Sequence, residues 1–159
     1  MNGMLETIIK GASRIMLEQE NAAVHQKEGH SNFVTEADLA VQEYLKEKLL
    51  AYLPGSLFFA EEQENSALTD VPTWVVDPID GTTNFMRGRK YSAISVALLE
   101  NKQPVLGLIY NPYEAEMFRA EKGKGATLNG HPIAPAATPF EHAIVTIGTS
   151  PYNPKFAET

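Results

Sequence analysis

The sequence predicts an α+β fold, and three observations carry that expectation. Two N-terminal stretches place apolar residues three and four apart, the spacing of helices with one buried face. From residue 56 onward the pattern changes to short runs rich in β-branched and aromatic residues, broken by Gly, Pro and Asn turns. The helices come first and most of the strands follow, without the strict alternation that signals an all-parallel sheet.

Met4, Leu5, Ile8, Ile9, Ala12, Ile15 and Met16, with Ala22 and Ala23, form the first helical stripe. Residues 24–32 are polar, contain Gly29 and read as a loop. His25 and His30 there have no companion at metal-ligand spacing. Thr35 with an acid three residues later, Asp38, opens the second helix as a capping box. Leu39, Val41, Tyr44, Leu45, Leu49 and Leu50 make its apolar side, and Pro54-Gly55 ends it. Residues 56–60 are a short apolar strand that runs into Glu61-Glu62, and a polar loop covers 63–73. Trp74-Val75-Val76 is a buried strand. Residues 91–99, 105–110 and 116–120 are three strands joined by tight turns, an antiparallel meander. A hairpin region follows over 123–130, then a proline-rich connection from His131. One more strand is expected at 144–148, and a helix barely begins at 155–159.

Composition narrows the function. The chain has 159 residues, 43% of them hydrophobic, which suits one domain with a real core. A net charge of -7 without a basic patch excludes nucleic acid as an expected partner. Arg87-Gly88-Arg89-Lys90 is a local cluster of cations, and an exposed turn explains it better than attraction for an anionic substrate. No cysteine is present, which fits a reducing compartment. Residues 1–10 lack the pattern of a secretion signal, and no apolar run is long enough to span a membrane. A soluble, cytoplasmic protein is expected.

The chemistry concentrates in Asp77-Pro78-Ile79-Asp80-Gly81-Thr82-Thr83-Asn84-Phe85. Asp77 ends a strand, where Pro78 holds it extended, and Gly81 permits a turn that a side chain would forbid. Two carboxylates followed by free backbone N–H groups suit a hard cation and a phosphate together. Asp-Pro and Asp-Gly alone are common turn formers, but other metal-loop readings fail on spacing. Counted from Asp77, an EF-hand would need Gly where Thr82 stands and Glu where Gly88 stands. Gly123-Lys124-Gly125 lacks the spacing and the Lys-Ser/Thr ending of a P-loop. Glu61, also at a strand end, would join Asp77 and Asp80 if the two strands are neighbours. Without Cys, and without a Ser-His-Asp set, covalent catalysis is the poorer hypothesis.

The string from Asp77 to Phe85 resembles the first signature of the inositol monophosphatase family, magnesium-dependent and lithium-sensitive phosphatases of the sugar-phosphatase fold. Residues 33–38 and the 123–130 region are also similar to family patterns. At Glu61 the family usually has Gly-Glu-Glu, and this chain has Ala60 for the Gly. The resemblance implies that Glu61, Asp77, Asp80 and the backbone carbonyl of Ile79 bind magnesium, two or three ions in all. It implies that Gly81, Thr82 and Thr83 hold phosphate, and that Asp38 and Thr82 activate water. Lys27 and Glu62 are possible additions. The expected substrate is a small phosphorylated polyol or sugar, inositol monophosphate first, with fructose bisphosphate or histidinol phosphate as alternatives. An inactive metal- and phosphate-binding fragment is the reading from another class. The implied architecture is layered α/β/α/β/α, this chain supplying its helix pair and antiparallel sheet as a domain over 1–148. Residues 149–159 would then begin the connection to a C-terminal half, borne by a longer or a separate chain, that carries a further metal ligand. The full-length protein is expected to be a homodimer.

Overall fold

The structure, a computed structural model, describes residues 2–19, 24–26, 33–61 and 63–142. It opens with helix α1 (Asn2–Glu18), a short antiparallel pair β1 (Val24–Gln26) and β2 (Phe33–Thr35), and helix α2 (Glu36–Tyr52). Strands β3 (Leu57–Ala60) and β4 (Thr73–Asp80) follow, then a short helix α3 (Thr82–Met86). The remaining strands are β5 (Ala93–Glu100), β6 (Gln103–Asn111), β7 (Glu116–Glu121), β8 (Gly125–Leu128) and β9 (His131–Ile133). One seven-stranded sheet takes β3 to β9 in sequence order.

The helices lie on one face of the sheet. The Tyr52 ring of α2 meets Trp74 of β4 edge-on at 6.2 Å, and Val76, Val96, Leu98, Leu108 and Met117 join Trp74 beneath the helices. Leu5, Ile9, Ala12 and Met16 of α1 and Val41, Leu45 and Leu49 of α2 are buried against this layer. Each large apolar side chain so buried contributes roughly 1.5–3 kcal/mol. Met4 and Leu39, expected in the stripes, are instead 62% and 43% exposed, because each lies one step off its helix's buried face. The opposite face carries Val75 and, around an apolar hollow of about 400 Å³, Ala97, Ile109, Phe118, Ala120 and Ile133. Val75 and Ile109 there stay 38% and 47% exposed.

The sheet is mostly antiparallel, as expected, with one parallel pair at its β3 end. β3 runs parallel to β4, with Phe59 opposite Val75 and Ala60 opposite Val76. The loop 61–72 makes this possible, since parallel neighbours need a crossover of about a dozen residues. The meander β5–β6–β7 has the antiparallel register expected. Residues 24–26, read as loop, pair with β2 instead. The proline-rich stretch begins as β9, where Pro132 is tolerated because β9 is, among the described residues, an edge strand. Arg87, Arg89 and Lys90 are exposed, as a turn requires. The expected strand at 144–148, the domain boundary at 149, and residues Ala22, Ala23, Lys27, His30 and Glu62 lie outside the described residues. No helix among the described residues is long and apolar enough to cross a membrane.

Candidate active site

The sheet brings the predicted acids together at one end. Because β3 and β4 are parallel and in register at Ala60 and Val76, the next step along each puts Glu61 beside Asp77. Asp80 arrives by a different device. Asp77 pairs with Ser95 and Asp80 with Ala93, so three steps along β4 match two along β5. That is a β-bulge, and it contains Pro78, which has no N–H to give to a regular ladder. In a regular strand, residues three apart face opposite ways. The bulge cancels this, and Asp77 and Asp80 share a face.

Gly81 then turns the chain. Its φ of 86° is left-handed, and a Cβ there would stand 2.9 Å from the Tyr91 carbonyl oxygen. Only glycine meets both demands at low cost. Its own carbonyl accepts from Asn84 N–H (2.8 Å) and Phe85 N–H (3.0 Å), starting α3. The amides of Thr82 and Thr83 precede that first hydrogen-bonded turn; Thr82 is half-buried and Thr83 is exposed. The five-residue helix was not legible in the sequence. The Ile79 side chain is buried in the core, only 1% exposed; its carbonyl accepts from Thr82 Oγ1 at 3.0 Å.

Asp38 comes from α2 and serves two partners. Its Oδ2 accepts from Thr35 N–H (2.8 Å) and Thr35 Oγ1 (2.6 Å), while Asp38 N–H donates back to Thr35 Oγ1 (3.2 Å). This is a complete capping box. Oδ1 remains for the site, where it accepts from Thr82 Oγ1 at 3.3 Å. Burial raises the Asp38 pKa, and the Thr35 and Thr82 hydrogen bonds oppose the rise.

Charge marks the centre. Burial first, then repulsion from Glu61, Asp80 and Asp38, push the Asp77 carboxyl up to about 7, against the Ile79 N–H that it accepts. Three carboxylates therefore act on a fourth, Asp77, at a strand end. All are hard oxygen donors, the type that suits Mg²⁺ or Ca²⁺ and not a thiolate-seeking metal. A cation would relieve the repulsion that Asp77 carries, so donor chemistry and charge fit one. The spacing is open: among the described residues no three acidic or histidine side chains form a ready-made cage for an ion. Beside the acids, Asp80, Gly81, Asn84, Tyr91, Ser92, Ala93 and Asn111 line an open cleft of about 320 Å³. Lys27 and Glu62 lie outside the described residues.

Two residues that the sequence hid in a loop also shape the site. Asn65 and Gln63 hydrogen-bond to the backbone of β3 just before Glu61. The available signal was a pair of side-chain amides soon after an apolar strand.

The geometry finds its match among known proteins. A tomato (Solanum lycopersicum) inositol monophosphatase 3 is 42% identical over 112 residues, which are 68% of this chain and 42% of that protein. The fold is similar to that of the extragenic suppressor protein SuhB from Bartonella henselae, with a TM-score of 0.79 and 31% identity over 86% of this chain and 54% of that one. An IMPase/NADP phosphatase, crystallised with NADP and Ca²⁺, aligns with a TM-score of 0.75 and 25% identity, covering 81% of this chain and 50% of that one. The chain thus spans about half the length of the relatives that it matches. The Inositol monophosphatase family model matches residues 3–156, so with its bulged Asp77–Asp80 turn and helix-covered sheet this chain belongs to the inositol monophosphatase family.

Proposed function

We propose that the chain is the acid-bearing half of a magnesium-dependent phosphatase acting on a small phosphate monoester, inositol monophosphate foremost. The observation that carries this reading is Asp77, half-buried and repelled by Glu61, Asp80 and Asp38 at the edge of the Gly81 turn. Glu61, Asp77, Asp80 and the Ile79 carbonyl would hold two or three Mg²⁺ ions. Bound there, such ions supply neutralisation of phosphoryl oxygens and a more acidic water. The Ca²⁺ in the related IMPase/NADP phosphatase supports a divalent-cation site.

The chain's own residues do the rest. Gly81, Thr82 and Thr83 present backbone N–H groups to phosphate oxygens, which the missing Gly81 side chain lets approach closely. Thr82 Oγ1 can accept a proton from water while giving its own to Asp38 Oδ1. Asp38, with its pKa raised by burial, is the better proton acceptor for it. The substrate body would occupy the cleft between Asp80 and Asn111. Another sugar phosphate, such as fructose bisphosphate or histidinol phosphate, is the alternative substrate. A cytoplasmic, lithium-sensitive homodimer is the state proposed for the whole protein.

The test is phosphate release from inositol 1-phosphate with and without Mg²⁺. Turnover is expected to require Mg²⁺ and to fall by at least about 100-fold in Asp77→Asn, the scale of losing a group that stabilises transition-state charge. Because relatives are about twice as long, the same assay is run after adding the second half of a relative. Turnover that appears only then makes this chain one part of the enzyme. Metal-independent turnover, or turnover indifferent to Asp77, would refute the reading.

A further inference from the structure

β3 is the edge strand of the large sheet, so among the described residues its outer backbone groups have no strand to pair with. Side-chain amides take that place. Asn65 Oδ1 accepts from Ala60 N–H at 3.1 Å, and Asn65 Nδ2 donates to the Ala60 carbonyl at 2.7 Å. Accepting from the N–H and donating to the C=O of one residue is what an antiparallel strand does at a hydrogen-bonded pair. Gln63 Nε2 braces the arrangement, donating to the Phe58 carbonyl (2.9 Å) and to Asn65 Oδ1 (3.0 Å).

Ala60 is the last residue of β3, and Glu61 follows it. The clamp therefore grips the backbone one residue before the carboxylate, on the side that β4 does not hold. Without it, the final residue of a four-residue edge strand would lose its outer backbone partners, and the backbone that carries Glu61 beside Asp77 would be less firmly fixed. We infer that Asn65 is a positioning residue for Glu61, holding that carboxylate beside Asp77 so that the acidic site takes a divalent cation. This rests on the reading of Glu61 as a ligand under the proposed function. A simpler role is edge protection, since a bare edge strand invites pairing with other chains. The two roles are separable: edge protection has no dependence on Glu61, whereas positioning vanishes when Glu61 has no charge to place.

The test is Mn²⁺ binding to the full chain, followed by the electron paramagnetic resonance signal of free Mn²⁺, with thermal unfolding measured in parallel. Asn65→Leu removes the amide while keeping the number and branching of the side-chain heavy atoms. Its Mn²⁺ Kd is expected to rise about 10-fold, the lower end of what outer residues of metal sites contribute. Glu61→Gln should raise Kd at least as much. The double variant should bind no worse than Glu61→Gln alone. Asn65→Ser, which disturbs packing less, gives the same comparison if Asn65→Leu does not fold. An unchanged Kd in the Asn65 variants overturns the positioning role while leaving the metal reading intact. So does an Asn65 loss of the same size with and without the Glu61→Gln substitution. If Glu61→Gln binds Mn²⁺ as the wild type does, or the wild type binds none, the ligand reading falls and the proposal with it.

Discussion

Asp77 carries the sharpest consequence at the scale of one residue. Its carboxyl is pushed up to about 7 in the folded chain, first by burial and then by Glu61, Asp80 and Asp38, from an ordinary value of 3.8. Well below its ordinary value of 3.8 the group is protonated folded or unfolded, and it costs nothing. As pH rises toward 7 the unfolded chain ionises it freely while the fold resists, so stability falls and the full penalty is present above the folded pKa. The raw shift would convert to about 4 kcal/mol, but the side chain is partly solvated, and screening leaves about 1–2 kcal/mol. Asp77→Asn cannot ionise. Its urea-unfolding free energy, measured without divalent ions, should match the wild type well below pH 3.8 and exceed it near pH 8. Adding Mg²⁺ at the higher pH should close the gap by stabilising the wild type alone. A gap independent of pH would mean that Asp77 is not held in a repulsive site.

Among the elements, the start of α2 joins fold and chemistry most tightly. Thr35 is 1% exposed and caps the helix through Asp38, whose other oxygen meets Thr82. Thr35→Ala should cost about 1–2 kcal/mol of stability, the usual loss for an N-cap, and Thr35→Ser should restore most of it. Removing the Thr35 hydroxyl also deletes a bond that lowers the Asp38 pKa, so that pKa should climb further, visible in carboxyl titration by NMR. Such a cap was legible in sequence because Thr and Asp three apart before an apolar helix have a local meaning. So were the end of β3 and the glycine of the turn, but not the end of β4, which was expected at Asp77 and runs on through Pro78 to Asp80. The bulge was not: a spacing of three between Asp77 and Asp80 does not say which face each takes, and only the register with Ser95 and Ala93 does. α3 is five residues long, too short for a period to show. β1 and β2 are three residues each, and their pairing is tertiary information. Asn65 reads as loop because its partners are backbone groups of a strand, invisible to any pattern of side chains.

On the scale of the molecule, the described residues cover the sheet on one face only. Trp74, Val76, Val96 and Leu108 are sealed under α1 and α2, whereas Val75, Ile109 and Ile133 stand 38–47% exposed on the other. Scattered apolar residues on a surface mean little, but a contiguous patch around a hollow of about 400 Å³ is a sticky surface. The register runs from this patch along β4 and β5 to Asp77 and Ser95, so whatever covers the face also lies next to the acids. The 159-residue chain should therefore bind a hydrophobic dye in its native state and sediment as larger species with rising concentration. Ile109→Lys places a charge at the half-open centre of the patch. It should suppress both behaviours while shifting the thermal midpoint by only a few degrees, because a side chain already half in water loses little burial. Leu108→Lys, one residue away and 1% exposed, should instead unfold the chain. The contrast tests the sidedness of the sheet directly. A wild-type chain that stays monomeric and binds no dye would mean that residues outside the described set already cover the face, and Ile109→Lys would then be as damaging as Leu108→Lys.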